Sequence, residues 1–453
     1  MHSSIQTKLQ TLPLPLQELL SAAAVEANDR NWPLYLVGGA VRDLLLQQTE
    51  QAINFRELDL VVDANHSASV QGAAELGCAL HKLYSEAHLQ VYGRFQTATM
   101  IWRSHPQLGN FSVDIATART ESYPYPAADP DVVVGSIQQD LSRRDFTINA
   151  LAVRLTPPRC LENTPVLLDF FGGLTDLHHQ HIRVLHPNSF VEDPTRIFRA
   201  VRFATRFGFV IEPQTEGYIR DAIASGIYQQ TQTHHHPVPA LQSRLKKELK
   251  AILKLPNWET ALVLLSELDA LKCLHPQLKI DQAWWKQTQL ALSWLTLFDP
   301  SVKAIQPWQL ILELLVAQLR SEDRAKVAEN LCLGEHSHQR LSTLAPMQAE
   351  IHSVLIYPRS PSQVVQCLRR YDLPTLLLVT AQSPLTVRQR IWQYLQEWKT
   401  VKPLLNGNDL ICLGYQPGRD FNAILSKVLF ATLDGVVQTK GEAERLVLDY
   451  FPL

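Results

Sequence analysis

The sequence lacks the features of a membrane-spanning or secreted protein. No apolar run reaches the roughly 18 residues that a membrane-spanning helix needs, and the amino-terminal segment has no basic stretch followed by an apolar one. The six cysteines are far apart and form no C-x-x-C pair, which argues against a structural zinc site and predicts reduced thiols in the core. We therefore expect a cytoplasmic protein with no membrane partner.

Charge is also scarce, and the two signs nearly balance. Lys, Arg, Asp and Glu make up 19% of the 453 residues, and the formal net charge is −2. This balance excludes a uniformly basic nucleic-acid coat but leaves room for local basic stripes. Hydrophobic residues at 46%, with 18 glycines and 27 prolines, exclude disorder and collagen-like repeats. A chain of this length predicts two to four domains.

The hydrophobic pattern changes along the chain. Between residues 31 and 155, short β-rich runs such as LYLVGG, LDLVVD, LQVYGRF, TATMIW and FSVDIATA alternate with turn residues and one Ala-rich helical stretch. From about residue 190 the strand signal nearly vanishes, and apolar residues recur three and four apart. The pattern predicts an α/β or α+β unit followed by helical parts.

The segment LYLVGGAVRDLLL, residues 34–46, is typical of a buried strand that ends in Gly38 and Gly39 and runs directly into a helix. Glycines let the backbone pass close to a ligand, and the free N–H groups of a helix start favour a phosphate, to which Arg42 adds charge. The functional interpretation is a triphosphate cradle, and the alternative is ordinary turn chemistry. The segment is not a P-loop, because no G-K-[ST] follows.

Two carboxylates alternate in the run RELDLVV. In a strand, positions i and i+2 share a face, so Glu57 and Asp59 project together while the leucines and valine between and after them are buried. Asp114 in FSVDIATAR lies on another alternating strand and is a third candidate. Such a cluster can hold the divalent ions of phosphoryl transfer, whereas an acidic edge facing solvent is the alternative for each residue alone.

Two arginines, a carboxylate and an amide stand among largely apolar residues in LSRRDFTINALAV, residues 141–153. Arg143, Arg144, Asp145 and Asn149 precede or enter what we interpret as an apolar helix. Two adjacent arginines followed by a carboxylate could bind phosphate oxygens and a ribose hydroxyl together. A surface network of ion pairs is the alternative.

These motifs resemble those of class II tRNA nucleotidyltransferases and bacterial poly(A) polymerases. The likeness is dense over about residues 31–210 and looser beyond, through SRLKKELKAIL and the tail NGNDLICLGYQPGRDFNAILSKVLFATLDG. The motifs that carry it are, in the family's order, LVGGAVRD, ELDLVV, RRDFTINA, DFFGGLTDL and EDPTR.

The resemblance implies an α+β fold, in which a nucleotidyltransferase head with a small mixed sheet is followed by an all-helical neck, body and tail. The implied domains are a catalytic head at residues 1–155, a neck with the nucleobase-template helix at 156–240, a body at 241–355 and a tRNA-binding tail at 356–453. It also assigns Mg²⁺ to Glu57 and Asp59, the triphosphate to Gly38, Gly39 and Arg42, and phosphate and ribose to Arg143, Arg144, Asp145 and Asn149. The family usually has Asp where this chain has Glu57, so the longer side chain could hold the metal differently.

The EDPTR motif is implied to read the incoming base. Asp193 and Arg196 would face the Watson–Crick edges of C and A, with Glu192 orienting the arginine. Cytosine and adenine each offer an amino donor beside a ring-nitrogen acceptor, whereas uracil and guanine offer a carbonyl and a ring N–H there. One carboxylate and guanidinium pair can therefore accept C and A, because each mismatched buried group costs on the order of 1–3 kcal/mol.

The implied activity is addition of C and A to the tRNA 3′ end from CTP and ATP. The alternatives are an enzyme that adds only A, a poly(A) polymerase and an inactive RNA-binding homologue. Arg119 and Glu121, followed by Tyr123, resemble the flexible-loop element of enzymes that add the final A. The lack of a long basic C-terminal tail argues against a poly(A) polymerase.

Two helices are predicted to present basic faces. Arg196, Arg199, Arg202 and Arg206 fall within an arc of about 120° at helical spacing, with ion pairing between helices as the alternative for the last three. In residues 241–254, four lysines and Arg244 stand against the single acid Glu248. Arg199, Arg202, Arg244 and Lys247 are the predicted tRNA contacts, made through phosphates. The histidines at 178, 179, 181 and 234–236 are interpreted as surface or loop residues rather than metal ligands.

Overall fold

The chain forms two compact units, Met1–Cys273 and Leu274–Leu453. The computed structural model describes residues 2–46, 55–64, 71–93, 96–122, 131–157, 165–226, 239–418 and 420–452. None of the helices in these ranges combines the length and the apolar character that crossing a bilayer requires. The division into head, neck, body and tail remains a prediction, as do the roles of its four parts.

A seven-stranded sheet forms the centre of the first unit. Its order is β3-β4-β5-β2-β1-β8-β9, and β2 and β5 run parallel while every other neighbouring pair is antiparallel. The predicted mixed sheet is thus confirmed. The strands are β1 (Leu34–Val37), β2 (Glu57–Val62), β3 (His88–Tyr92), β4 (Thr97–His105), β5 (Gly109–Thr117), β6 (Arg119–Ser122), β7 (Asp131–Val134), β8 (Leu151–Arg154), β9 (Val166–Asp169), β10 (His181–Ile182) and β11 (Val210–Ile211).

The two faces of this sheet differ. In β5, Val113 and Ile115 are buried on one face, and Asp114 between them points to the other. Helix α4 (Gly72–Leu83) packs on the face of Ile115, because a Cβ placed on its Gly77 would lie 2.9 Å from Ala98 Cβ and 3.9 Å from Ile115 Cδ1. The opposite face carries the carboxylates and, farther along β2, the buried Val61, which packs in an apolar cluster with Ile137 and Leu141.

Helices complete the first unit. They are α1 (His2–Gln10), α2 (Leu14–Asp29), α3 (Gly39–Leu46), α4 (Gly72–Leu83), α5 (Ile137–Ser142), α6 (Gly173–His179), α7 (Ser189–Glu192), α8 (Thr195–Phe207), α9 (Pro213–Ala224), α10 (Pro239–Leu253) and α11 (Trp258–Glu267), with short 3-10 turns at Thr147–Asn149 and Ala270–Cys273. Helix α8 buries the apolar stripe that its sequence predicts, including Ile197 and Val201, and it ends at Gly208, which has a left-handed φ of 69°.

The second unit contains no strand among its described residues. Its helices are α12 (Gln282–Phe298), α13 (Pro307–Ala317), α14 (Ser321–Asn330), α15 (Glu335–Leu355), α16 (Pro361–Leu368), α17 (Leu373–Gln382), α18 (Leu385–Gln393), α19 (Gly407–Cys412), α20 (Asp420–Leu433) and α21 (Lys440–Tyr450), with a π-helical turn at Tyr394–Trp398. Glu313 on α13 is buried and pairs with Arg340 on α15 at 2.9 Å. The helical character predicted from residue 190 onward is confirmed.

Two local predictions were wrong. The apolar stretch after Asp145 is not a helix, because it forms the 3-10 turn Thr147–Asn149 and then β8, which pairs with β1 and β9. Pairing with two neighbours outweighs the local helical pattern there. The cysteines are free, but Cys78, Cys332 and Cys412 are exposed rather than in the core, and Cys160 lies outside the described residues.

Candidate active site

Three carboxylates meet on the face of the sheet opposite α4. Strands β2 and β5 run parallel and in register, so that Asp59 lies opposite Asp114, and Glu57 is two residues before Asp59 on the same face. One oxygen from each of the three lies within 4.8 Å of the others. Among the described residues this is the one group of three or more His, Cys, Asp or Glu side chains with the spacing of a metal site.

Two of these carboxylates, Glu57 and Asp59, have raised pKa values. A hydrogen bond with Asp114, partial burial and the nearby Asp59 charge together raise the pKa of Glu57 to about 7, although Lys247 acts in the opposite direction. Burial raises the pKa of Asp59, and the charge of Arg144 partly offsets this. Asp114 is held by Thr99, whose hydroxyl donates to its Oδ1 at 2.5 Å. The cluster has the hard oxygen donors and the excess negative charge that suit a divalent cation.

The Gly-Gly turn brings the backbone against this cluster. Gly38 has a φ of 71°, and a Cβ there would lie 2.8 Å from Arg144 Nη1 and 3.4 Å from Asp59 Oδ2. Glycine is therefore required both by the left-handed backbone and by the close approach of two charged side chains. Gly39 then begins α3, as the sequence predicts.

Arg42 on α3 is almost completely buried. Its Nη1 donates to Asn149 Oδ1 at 2.5 Å and its Nε to Asp43 Oδ1 at 2.8 Å. The guanidinium also lies 5.1 Å from the ring centroid of Phe203 and 4.7 Å from that of Phe207. Burial lowers the pKa of Arg42, although Asp43 counteracts this. These contacts fix the position of the guanidinium at the wall of the site.

A buried carboxylate that was not singled out in the sequence organises the two arginines after α5. Asp140 is inaccessible to solvent and accepts from Arg143 Nη2 at 2.7 Å and from Arg144 Nη2 at 3.2 Å. Arg143 also contacts Glu121 at 2.7 Å, and Glu121 contacts Arg119 at 3.0 Å. The predicted loop element is thereby joined to the arginine run, whereas Tyr123 lies outside the described residues.

Asp145 is buried at the wall of the site and hydrogen-bonds within its own chain. Its Oδ1 accepts from Asn149 and from the Phe146 amide, and its Oδ2 from Arg199. Burial would raise the pKa of Asp145, but Arg199 and the Asn149 hydrogen bond overcome it and hold the pKa at about 2. Asp145 thus has internal hydrogen-bond partners, and it also lines the cavity, so its predicted contact with a ribose stays a prediction.

The EDPTR motif lies at the junction of α7 and α8. Asp193 Oδ1 accepts from the Thr195 amide at 3.0 Å and from its hydroxyl at 2.7 Å, which starts α8. Arg196 donates from Nη1 to Ser189 Oγ at 2.6 Å and from Nη2 to the Arg143 carbonyl at 2.8 Å. Glu192 lies farther from Arg196, at 3.9 Å.

Helix α10 brings a second set of charges to the same region. Arg199 and Arg202 on α8 both pair with the buried Glu248, at 3.2 and 2.7 Å. The predicted alternative for these two arginines, ion pairing between helices, is what the structure shows. On the same helix Arg244 lines the central cavity, and Lys247 is close enough to act on the pKa of Glu57.

Most of the predicted site residues line one cavity of about 650 Å³. Glu57 and Asp114 do not line it but share their cluster with Asp59, which does. Glu192 and Lys247 are also outside the lining. The lining consists of Gly38, Gly39, Arg42, Asp59, Arg119, Glu121, Arg143, Arg144, Asp145, Asn149, Asp193, Arg196, Arg199, Arg202, Phe203, Arg206 and Arg244.

Sequence reasoning missed several residues that shape this cavity. Asp140 precedes the two arginines by three and four positions, a helical spacing that could have revealed the pairs. Phe203 stands between Arg42 and Arg202, and no sequence signal separates it from an ordinary core residue. The histidines at 178, 179 and 181 lie near one another, but in the described ranges they form no metal group, and those at 234–236 are outside those ranges.

The sequence of this chain is similar to those of known nucleotidyltransferases. Residues 34–183 match the family described as poly A polymerase head domain. An A-adding tRNA nucleotidyltransferase of Geobacter sulfurreducens is 29% identical over 96% of this chain and 47% of its own length. Another A-adding tRNA nucleotidyltransferase, of Aquifex aeolicus, is 39% identical over 49% of this chain and 23% of its own length. The chain thus spans less than half of each of these two relatives.

Among solved structures, the Thermotoga maritima CCA-adding enzyme complexed with tRNA(CCA) is similar along nearly the whole chain. It is 26% identical and superimposes with a TM-score of 0.73, covering 98% of both chains. The likeness therefore extends through both compact units and is not confined to the sheet.

Proposed function

Because the chain belongs to the family of class II tRNA nucleotidyltransferases and bacterial poly(A) polymerases, we propose that it adds C and A nucleotides to the 3′ end of tRNA, using CTP and ATP and releasing pyrophosphate. One observation carries the proposal: a single cavity is lined both by Asp59, of the carboxylate cluster, and by Asp193 and Arg196, of the base-reading motif. A nucleoside triphosphate could therefore reach both at once.

The charge of the cavity favours a triphosphate. Nine arginines and four carboxylates line it, which leaves an excess of positive charge. The Nε atoms of Arg144 and Arg244 are buried and have no hydrogen-bond acceptor among the described residues. Donors left without an acceptor are costly unless a ligand supplies one. Phosphate oxygens are the acceptors that guanidinium groups fit best.

The reaction is an in-line displacement at the α-phosphorus. The oxygen of the tRNA 3′-hydroxyl forms the new phosphodiester bond, the bond to the β-phosphate oxygen breaks, and pyrophosphate leaves toward Gly39, Arg42 and Arg143. Glu57, Asp59 and Asp114 are the residues that would hold Mg²⁺. Divalent ions bound there would favour loss of the hydroxyl proton and neutralise the triphosphate.

Base choice falls to Asp193 and Arg196. The carboxylate accepts from the exocyclic amino group of C or A, and the guanidinium donates to the adjacent ring nitrogen. U and G would place a carbonyl against the carboxylate and a ring N–H against the guanidinium, leaving buried groups unpaired. In this proposal residues 1–155 act as catalytic head, 156–240 as neck, 241–355 as body and 356–453 as the tail that binds tRNA.

The test supplies the purified protein with tRNA that ends before CCA or after CC, with labelled CTP and ATP and Mg²⁺. Addition of C and A to the first substrate, and of A to the second, is the expected result. The Asp59→Ala variant should fold but incorporate neither nucleotide, because one cluster serves every step. Unchanged turnover in this variant would show that Asp59 is not an essential metal ligand. If the wild type incorporated no nucleotide, the proposed function would be refuted.

A second candidate is an enzyme that adds only the final A, because both relatives described above are A-adding tRNA nucleotidyltransferases. This enzyme would extend tRNA ending in CC and leave tRNA without CC unchanged. A poly(A) polymerase would instead extend the product by many A residues. The same two substrates therefore separate all three activities by product length.

A further inference from the structure

We infer that Ser189 is the positioning residue that orients the Arg196 guanidinium for base reading, and that it does so more directly than Glu192. The inference rests on the proposed function, in which Arg196 donates to the incoming base. It assigns nucleobase selectivity to a buried serine that precedes the EDPTR motif.

The Arg196 guanidinium is held at two of its terminal N–H groups. Nη1 donates to Ser189 Oγ at 2.6 Å, and Nη2 donates to the Arg143 carbonyl oxygen at 2.8 Å. Two acceptors on two different terminal nitrogens fix both the position and the rotation of a planar guanidinium. The remaining N–H groups are then presented in one orientation.

Glu192 is poorly placed for the same role. Its Oε2 is 3.9 Å from Arg196 Nη1, beyond hydrogen-bond distance, and 3.4 Å from His186 Nε2. Its side chain is also partly exposed, whereas Ser189 is completely buried. Glu192 provides a negative charge near Arg196, whereas the hydrogen bond to Ser189 orients the guanidinium.

The Ser189 hydroxyl is itself firmly placed. Its backbone begins α7, the Ser189 amide donates to the His186 carbonyl at 3.2 Å, and its carbonyl accepts from the Asp193 amide at the same distance. The serine therefore ties Arg196 to the turn that carries Asp193, the other half of the base-reading pair. Because Ser189 is 0% exposed, removing its hydroxyl takes a buried acceptor away from Arg196 Nη1.

Loss of this hydroxyl should affect selectivity more than catalysis. The guanidinium keeps its Arg143 contact but can rotate, so its alignment with the ring nitrogen of C or A becomes less exact. Within the described part of the chain, Ser189 Oγ accepts from Arg196 and from none of the other arginines that line the cavity. We expect Ser189→Ala to lower the preference for CTP and ATP over UTP and GTP about tenfold, the effect of one charged hydrogen bond.

The experiment compares the wild type with Ser189→Ala, Ser189→Cys and Ser337→Ala on tRNA lacking its terminus. Ser337 is a buried serine of the second unit and is the control for loss of any buried hydroxyl. Values of kcat and KM for each of the four nucleotides are measured, together with equilibrium binding of each nucleotide. Thermal unfolding reports whether each variant folds.

The expected result is a graded loss of selectivity, from serine to cysteine to alanine, since a thiol is a weaker acceptor than a hydroxyl. KM for CTP and ATP should rise while kcat changes less than about threefold, and Ser337→Ala should match the wild type. If Ser189→Ala fails to fold, the cysteine variant decides.

Folded Ser189 variants with wild-type selectivity would overturn the inference. So would an equal loss in Ser337→Ala. If the wild type itself adds no nucleotide, the proposed function fails separately. The equilibrium binding measurements still test the role of Ser189 in that case. The inference then predicts a smaller difference in affinity between CTP and UTP for Ser189→Ala than for the wild type.

Discussion

Glu57 is the residue of the carboxylate cluster whose protonation can change near neutral pH. Its pKa is raised to about 7, chiefly by the hydrogen bond with Asp114 and by burial. A glutamate ordinarily titrates near 4.5, so in the cation-free protein Glu57 holds a proton at mildly acidic pH. Because the folded-state pKa lies above the ordinary value, this proton stabilises the fold at low pH, and the contribution is lost as the pH rises through 7.

Magnesium affinity should therefore depend on pH around neutrality. A cation bound by Glu57 must displace the proton, so the apparent affinity at pH 6 should be about tenfold weaker than at pH 8. Isothermal titration calorimetry with MgCl2 at the two pH values, without nucleotide, measures this difference. Equal affinities at pH 6 and pH 8 would contradict it.

The control for this titration is an exposed glutamate on another element. Glu57→Gln removes the titrating carboxyl, so its magnesium affinity should be weaker at pH 8 and should change less between the two pH values. Glu259→Gln, on the exposed side of α11, should behave as the wild type. If the Glu57→Gln protein kept the full pH dependence of magnesium affinity, the titrating group would be another carboxylate of the cluster and not Glu57.

At the scale of elements, α8 and α10 are joined by a single acid. Glu248 is 7% exposed and accepts from Arg199 at 3.2 Å and from Arg202 at 2.7 Å, while Arg199 also contacts the buried Asp145. The lone acid of an otherwise basic stretch thus connects the base-reading helix to α10. Without it, two neighbouring arginines on one face of α8 would lose the counter-charge that they share.

Removing this acid should destabilise the first unit. Glu248→Ala leaves two partly buried guanidiniums without their shared partner, and breaking a buried pair in this way costs about 3 kcal/mol. Urea unfolding followed by circular dichroism measures the loss, with Glu259→Ala as the matched control, which should change stability by less than about 0.5 kcal/mol. A Glu248→Ala protein as stable as the control would show that the pairs contribute little net energy.

Across the whole molecule, the sequence predicts the site best where it is built from contiguous motifs. The strand-turn-helix at Gly38 and the face shared by Glu57 and Asp59 follow from period-two alternation and glycine chemistry alone. The register that sets Asp114 beside Asp59 depends on strand pairing between distant segments, so the sequence could offer it only as one possibility. The stretch after Asp145 was misassigned because its two strand partners are invisible in the local pattern.

The position of α10 beside the carboxylate cluster could not be predicted from the local sequence. Its basic composition was plain in the sequence, but nothing local indicates that Arg244 lines the same cavity as Asp59, or that Lys247 acts on the pKa of Glu57. Within Met1–Cys273, tertiary packing thus adds positive charge beside the carboxylates from a helix nearly 190 residues away in sequence. This arrangement is suited to the phosphates of an RNA 3′ end that approaches the cluster.

Lys247 provides the test of that arrangement. It is exposed, and its charge acts on Glu57 of the carboxylate cluster. A phosphate contact made by this lysine would release about one counterion on RNA binding. We expect Lys247→Ala to weaken tRNA binding and to reduce the slope of log K against log salt by about 0.7 to 0.9. Fluorescence anisotropy with tRNA lacking its terminus, at several salt concentrations and without CTP or ATP, measures the slope.

The matched control is Lys82→Ala. Lys82 is exposed on α4, which packs on the sheet face opposite the carboxylates, so its loss changes the net charge equally without touching the cluster. Its slope should equal that of the wild type, because charges beyond a Debye length, about 10 Å at 0.1 M salt, are largely screened. Equal slopes for both variants would show that RNA senses only the net charge of the protein, and a reduced slope for Lys247→Ala alone would place an RNA phosphate beside α10.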